Sequence, residues 1–184
     1  MASSVSTEFP RPRMLIHPGR SRPVRIHSRH CRQARHIRLA LQPGLSLFEA
    51  LVRPLAAVGV HSASTTILGG VFSELQFCVA PPDPSGQAVI AYTRPIVAGR
   101  CTLVFGNATV GKDARGQPLV HCHAALRTEG GAVKGGHIVP HLSIVGPHPI
   151  PVLVTSLEGF ELRVAFDPET NIPLLQPQAE VNHA

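Results

Sequence analysis

The chain has 184 residues, 43% of them apolar, with seven Phe, one Tyr, no Trp, eighteen Pro and sixteen Gly. That is enough for one domain with a core of Val, Leu, Ile and Ala, it favours short strands over long helices, and no apolar run reaches the roughly 18 residues that a membrane-spanning helix needs. The formal charge of +6 is uneven: residues 1–38 hold nine Arg against Glu8 alone, a net +8, while residues 39–184 hold eight basic and ten acidic residues, a net −2.

This asymmetry divides the chain into a basic, Arg- and Pro-rich arm over 1–36, a domain body over 37–177 and a polar tail over 178–184. Pro10, Pro12, Pro18 and Pro23 prevent a long helix in the arm, and Val24 to His27 can form a short extended piece. A flexible arm bearing Arg20, Arg22, Arg25 and Arg29 can bind DNA by releasing counterions and entering a narrow minor groove. Its Gly19-Arg20-Ser21-Arg22-Pro23 segment has Ser21 where the Gly-Arg-Pro core of an AT-hook needs glycine. The plainer reading is a solvated tail or a segment that packs between subunits. An acid-poor, Arg- and Ser-rich start also has the composition of an organelle transit peptide.

The body begins with an alternating strand near 37–41 and a turn at Gln42-Pro43-Gly44. Ser46-Leu47-Phe48-Glu49 is a capping box, and apolar residues at 47, 48, 51, 52, 55 and 58 have helical spacing. Pro54 is expected to kink or shorten that helix and Gly59 to stop it. Strands follow at 61–68 and 71–79, then a Pro-rich loop at 80–86. Further strands are expected near 88–93, 101–106, 119–126, 136–145, 151–156 and 162–166. Asp167 to Thr170 reads as a turn, and the chain end as polar and frayed. One main helix with a mostly antiparallel β-sheet makes the fold class α+β.

Cys31, Cys78, Cys101 and Cys122 show no CxxC spacing. They read as reduced, mostly buried thiols in the cytoplasm.

The chemistry-bearing pattern is His121-Cys122-His123. Side chains alternate along a strand, so both imidazoles leave the same face, about 6–7 Å apart. Arg127 to Lys134 contains a Glu-Gly-Gly turn signal, and a hairpin folded about Gly130 sets position 137 opposite 123. His137 then joins the pair, with Gly135 and Gly136 adding no side chains to crowd it. Three neutral imidazoles suit Zn²⁺, and equally Ni, Cu or Fe(II), and they leave a coordination position for water or a small-molecule ligand. With eleven His in the chain, an incidental HxH pair is the competing reading. His141 reads as a surface or hydrogen-bonded residue and Cys122 as core; Glu129 and Glu158 are the nearest candidate bases.

Gly106-Asn107 ending an apolar strand, then His121-x-His123, then Gly135-Gly136-His137, resembles the plants and prokaryotes conserved (PPC) domain. The opening strand, Pro43-Gly44 with the following helix, and the closing Asp167 to Asn171 turn fit the same family over about 35–177. The resemblance implies an α+β fold assembled as a homotrimer, a metal usually taken as zinc on the three histidines, and an unsettled biochemical role. It also implies a link to DNA binding, through AT-hooks in plants. Two acidic positions usual in the family are absent here, at Gly99 to Thr102 and at Pro151 to Val154. The reading is therefore a metal-binding, DNA-binding or regulatory protein without a membrane association. Its rivals are a metal-dependent hydrolase or lyase using a metal-bound water, and a structural metal that holds a trimer together.

Overall fold

The computed structural model describes residues 15–23 and 27–179. The arm residue Arg25 and the extended piece at 24–26 lie outside these, as do residues 1–14 and 180–184.

Among the described residues, ten strands and one α-helix form the domain. In chain order they are β1 (His36–Leu41), α1 (Leu47–Ala57), β2 (Ala63–Ile67), β3 (Gly70–Cys78), β4 (Ile96–Lys112), β5 (Pro118–Thr128), β6 (Val133–Ile138), a 3-10 turn (Pro140–Leu142), β7 (Ile144–Val145), β8 (Ile150–Ser156), β9 (Phe160–Asp167) and β10 (Ile172–Ala179). The strands run in the order β1-β8-β2-β4-β5-β6-β3-β7, and β3 returns to pair with β4. All these pairings are antiparallel; the β9–β10 hairpin joins through a parallel bridge between Lys112 and Arg163.

The seventeen-residue β4 organises the sheet. One edge pairs with β5 from Cys101 to Lys112. Its other edge takes β3 at Ile96–Leu103 and then β2 at Gly106–Val110. The ring β4-β5-β6-β3 therefore closes on itself, while β2, β8 and β1 extend outward as an open sheet. Closure removes free strand edges on the part of the sheet that carries the histidines.

The helix starts as the capping box predicts. The Glu49 amide donates to Ser46 Oγ at 3.2 Å, and the Ser46 amide to Glu49 Oε2 at 3.4 Å. Pro54 does not end it: the helix continues to Ala57. Leu47, Ala50, Leu51 and Leu55 are buried on its inner face. At about 1.5–3 kcal/mol for each large side chain, this burial offsets the roughly 3 kcal/mol cost of an internal proline. The core against which it packs is aliphatic, with Leu41, Ile67, Leu75, Leu103, Leu126 and Ile138 fully buried, and Phe72 as its largest member.

Three expectations are corrected. No strand forms over 88–93; the chain there makes an irregular return, with only an isolated bridge from Pro82 to Ile90. The stretch 136–145 is no single strand, because Pro140 breaks it into β6, the 3-10 turn and β7. The chain end, expected to fray, pairs along β9 from Ile172 to Ala179. Its apolar residues Leu174 and Leu175 alternate poorly with Pro173 and Pro177, which hid a strand whose stability comes from pairing with a neighbour.

The described part of the arm is also more than a solvated tail. Residues 17–22 dock on the β9–β10 turn around Glu169, which is 5% exposed. His17 Nδ1 lies 2.8 Å from Glu169 Oε1, the Arg22 amide donates to Oε2 at 2.9 Å, and the Gly19 amide donates to the Glu169 carbonyl at 2.9 Å. A Cβ on Gly19 would stand 1.7 Å from the Pro168 carbonyl oxygen, so only glycine fits this approach. Gly19→Ala should release the segment while leaving the domain folded. Trypsin should then cut after Arg20 about tenfold faster, the equivalent of losing roughly one hydrogen bond of docking energy; circular dichroism checks that the sheet is unchanged.

Candidate metal centre

The site is built on one hairpin. The Thr128 amide donates to the Ala132 carbonyl at 3.0 Å and the Gly131 amide to the Thr128 carbonyl at 2.9 Å, closing a tight turn. Gly131 has φ +81°, the left-handed conformation that such a turn requires and glycine adopts without strain. The β5–β6 register that follows pairs Arg127 with Val133 and, two residue pairs beyond Ala125–Gly135, His123 with His137. Directly opposed residues share a sheet face. Val120, Cys122, Ala124 and Leu126 turn toward the core, so His121, His123 and His137 emerge together on the other face.

The three rings converge. Ring centroids are 4.9 Å apart for His121 and His123, 4.8 Å for His121 and His137, and 5.4 Å for His123 and His137. One nitrogen from each lies within 4.8 Å of the other two. A cation about 2 Å from each nitrogen needs them roughly 3.3 Å apart, which small side-chain rotations supply. The nitrogen Nδ1 of His137 is buried with no hydrogen-bond partner. An unsatisfied buried nitrogen on a ring packed against two other imidazoles suits a metal ligand, so the residues fit a metal.

Electrostatics favour the same occupant. Burial, then the His121 and His123 rings, push His137 down to about 4. Burial, then His123, lowers His121. These two imidazoles are thus neutral at pH 7, with lone pairs free for a metal.

The two glycines before His137 serve the backbone more than the site. A Cβ on Gly136 would meet the Cys78 carbonyl oxygen at 2.4 Å, and one on Gly135 the Ala124 carbonyl oxygen at 2.8 Å. They allow β6 to lie between β3 and β5 tightly enough for His137 to pair with both Cys78 and His123.

One neighbour escaped sequence reasoning. The return segment that was read as a strand is clasped to the end of β3: the Thr93 amide donates to the Val79 carbonyl at 2.9 Å and the Val79 amide to Thr93 Oγ1 at 3.2 Å. The clasp carries the Tyr92 ring to 5.0 Å from His137. Burial, and then Cys78, raises the Tyr92 phenol above its ordinary range. The lone tyrosine of the chain was a possible signal, but nothing local connects it with His137, 45 positions later.

Other candidates stand apart. His141 lies in the 3-10 turn and stacks on Phe48 with centroids 4.0 Å apart. Cys122 is fully buried on the core side, its thiol pushed up to about 12 by burial. All four cysteines are unpaired. Glu129 pairs with Arg100 at 3.5 Å and Glu158 with Arg35 at 2.7 Å, and neither joins the histidines. Arg20, Arg22 and Arg29 are exposed on the arm, and none belongs to the histidine cluster.

No curated protein sequence matches the chain. Solved structures share its fold. The "metal-containing protein" of Archaeoglobus fulgidus superposes with a TM-score of 0.61 at 20% identity, covering 83% of this chain and 99% of that one. A plant- and prokaryote-conserved (PPC) protein of Pyrococcus horikoshii gives 0.57 at 19%, covering 86% and 98%. A "putative DNA-binding protein" of Ralstonia eutropha gives 0.60 at 21%, covering 75% and 88%. The Plants and Prokaryotes Conserved (PCC) domain profile matches residues 28–157, well over half the chain. With β1 through β8 inside that span, the chain belongs to the PCC domain family.

Proposed function

We propose that this protein is a metal-binding PCC-domain protein with a binding or regulatory role, in which His121, His123 and His137 hold one zinc ion. The observation that carries the reading is the buried, partnerless Nδ1 of His137, whose ring packs against two other imidazoles. Zinc on three histidines keeps a position for an exogenous small-molecule ligand. A hydrolase or lyase needs a base within hydrogen-bond reach of a metal-bound water. Among the described residues no carboxylate joins the cluster, so ligand binding is the better-supported use. The structure named for its metal, from Archaeoglobus fulgidus, is consistent with this reading.

The finer reading has three further parts. The chain assembles as a homotrimer; in support, Val104, Phe105 and Leu153 on the strands, and Leu68 between β2 and β3, leave large apolar side chains exposed. DNA is the partner of the basic arm, through Arg20, Arg22, Arg25 and Arg29; the exposure of Arg20, Arg22 and Arg29 and the likeness to a structure named for DNA binding support this. The protein works in the cytoplasm, in keeping with four free thiols. No helix among the described residues is long and apolar enough to cross a membrane.

Purified protein should carry about one zinc per chain by elemental analysis. His137→Ala should abolish high-affinity binding and leave the secondary structure intact, and a protein as metal-rich as the wild type would overturn the ligand assignment.

Acid should empty the site. Folded His137 titrates at about 4, below its ordinary 6.5, so between those values the unfolded chain binds more protons than the folded one. Stability is therefore full above pH 6.5 and declines as pH falls toward 4. Protons compete with the metal over the same window. Zinc release followed with a chromophoric chelator should rise across it, together with a falling melting temperature.

Deleting residues 1–34 should remove most DNA affinity and flatten its salt dependence, by a log–log slope of about 0.9 for each lost phosphate contact. Fluorescence anisotropy at two salt concentrations measures both.

A further inference from the structure

The histidine face is bordered by polar groups that the chain itself leaves unused. In the β4–β5 register Asn107 lies opposite His123 and Thr109 opposite His121, on the same outer face. Opposed side chains are about 5 Å apart at Cβ, within reach of anything bound to the rings. Asn107 is exposed and Thr109 half-buried. Among the described residues neither side chain engages another group of the chain, and the Tyr92 hydroxyl is likewise without a hydrogen bond. Tyr92 stands on the opposite side, half-exposed at 51%, as a wall beside His137.

The charge around the site selects among ligands. A divalent cation on three neutral imidazoles has two positive charges that no Asp or Glu of the cluster compensates. Such a centre repels ammonium and guanidinium groups and draws an anion. The flanking groups are an amide and two hydroxyls, neutral donors that hydrogen-bond an anion without adding charge of their own. The Tyr92 phenol is a hydrogen-bond donor at neutral pH, as any tyrosine is. Zinc accepts a carboxylate oxygen at about 2 Å, so a small carboxylate can take the position that three histidines leave open.

We infer that the three-histidine centre takes a small carboxylate as its exogenous ligand, with Asn107 and Thr109 as hydrogen-bond donors on one flank and Tyr92 as the wall on the other. The inference rests on the metal reading above and assigns the ligand class and three residues that determine specificity. All three belong to the site's rim and none is a metal ligand.

The test uses full-length protein loaded with cobalt(II), whose visible bands report ligands entering the metal sphere. Acetate is the probe, and acetamide, of the same shape without charge, is the control. Acetate should shift the bands saturably and acetamide should not. Asn107→Ala and Tyr92→Leu should each weaken acetate about tenfold, the equivalent of one lost hydrogen bond or packing contact, with cobalt affinity unchanged. Cobalt bands that acetate leaves unmoved overturn the carboxylate assignment and leave the metal reading standing. Acetate binding that is equal in wild type and both variants overturns the role of the rim, since metal charge alone then explains it. A protein that develops no cobalt bands overturns the metal reading, and the ligand assignment with it.

Discussion

The register of the β5–β6 hairpin is the constraint on which the site depends. Two hydrogen bonds at the Thr128–Ala132 turn set which residue faces which, and every pair up to Cys122–Ile138 follows from them. A slip of one residue would turn His137 toward the core and bring Ile138 out to the histidine face. The buried Ile138 and the outward His137 therefore reinforce one another: apolar burial holds the register and the register aims the ring. The site needs no residue to be strained. It needs the turn to be short and the strand after it to lie close to both neighbours.

That dependence explains which features were legible in the sequence. The capping box at Ser46–Glu49 and the His121-x-His123 pair are local patterns, and each formed where its spacing placed it. The pairing of His137 with His123 was legible too, because a tight turn converts sequence distance into register. Features set by distant partners were not. Strand β10 exists because β9 offers it an edge, and its own residues, two of them Pro, argue for a loop. The reading of 88–93 as a strand failed because its Val, Ile and Tyr have β propensity but no neighbouring strand accepts them; Val79 and Thr93 close the segment instead. Docking of the arm on Glu169 joins positions 147 or more apart, beyond what local spacing can signal.

The chain also separates its charged functions in space. Positive side chains concentrate on the arm, which is tethered at the tip of the β9–β10 hairpin. The histidine face is bordered by neutral groups, and the candidate bases Glu129 and Glu158 are paired elsewhere.

The close approach at Gly136 has a bearing on how such a protein can diverge. The histidines project from the sheet and can be exchanged without disturbing the backbone beneath them. Gly136 cannot, because its neighbour at 2.4 Å from a Cβ is main chain and has nowhere to go. Descent should therefore erase the histidines more readily than the glycine. Descendants that have shed the chemistry would still carry the small residue as a relic of the scaffold, and its presence alone testifies to ancestry and says nothing about activity.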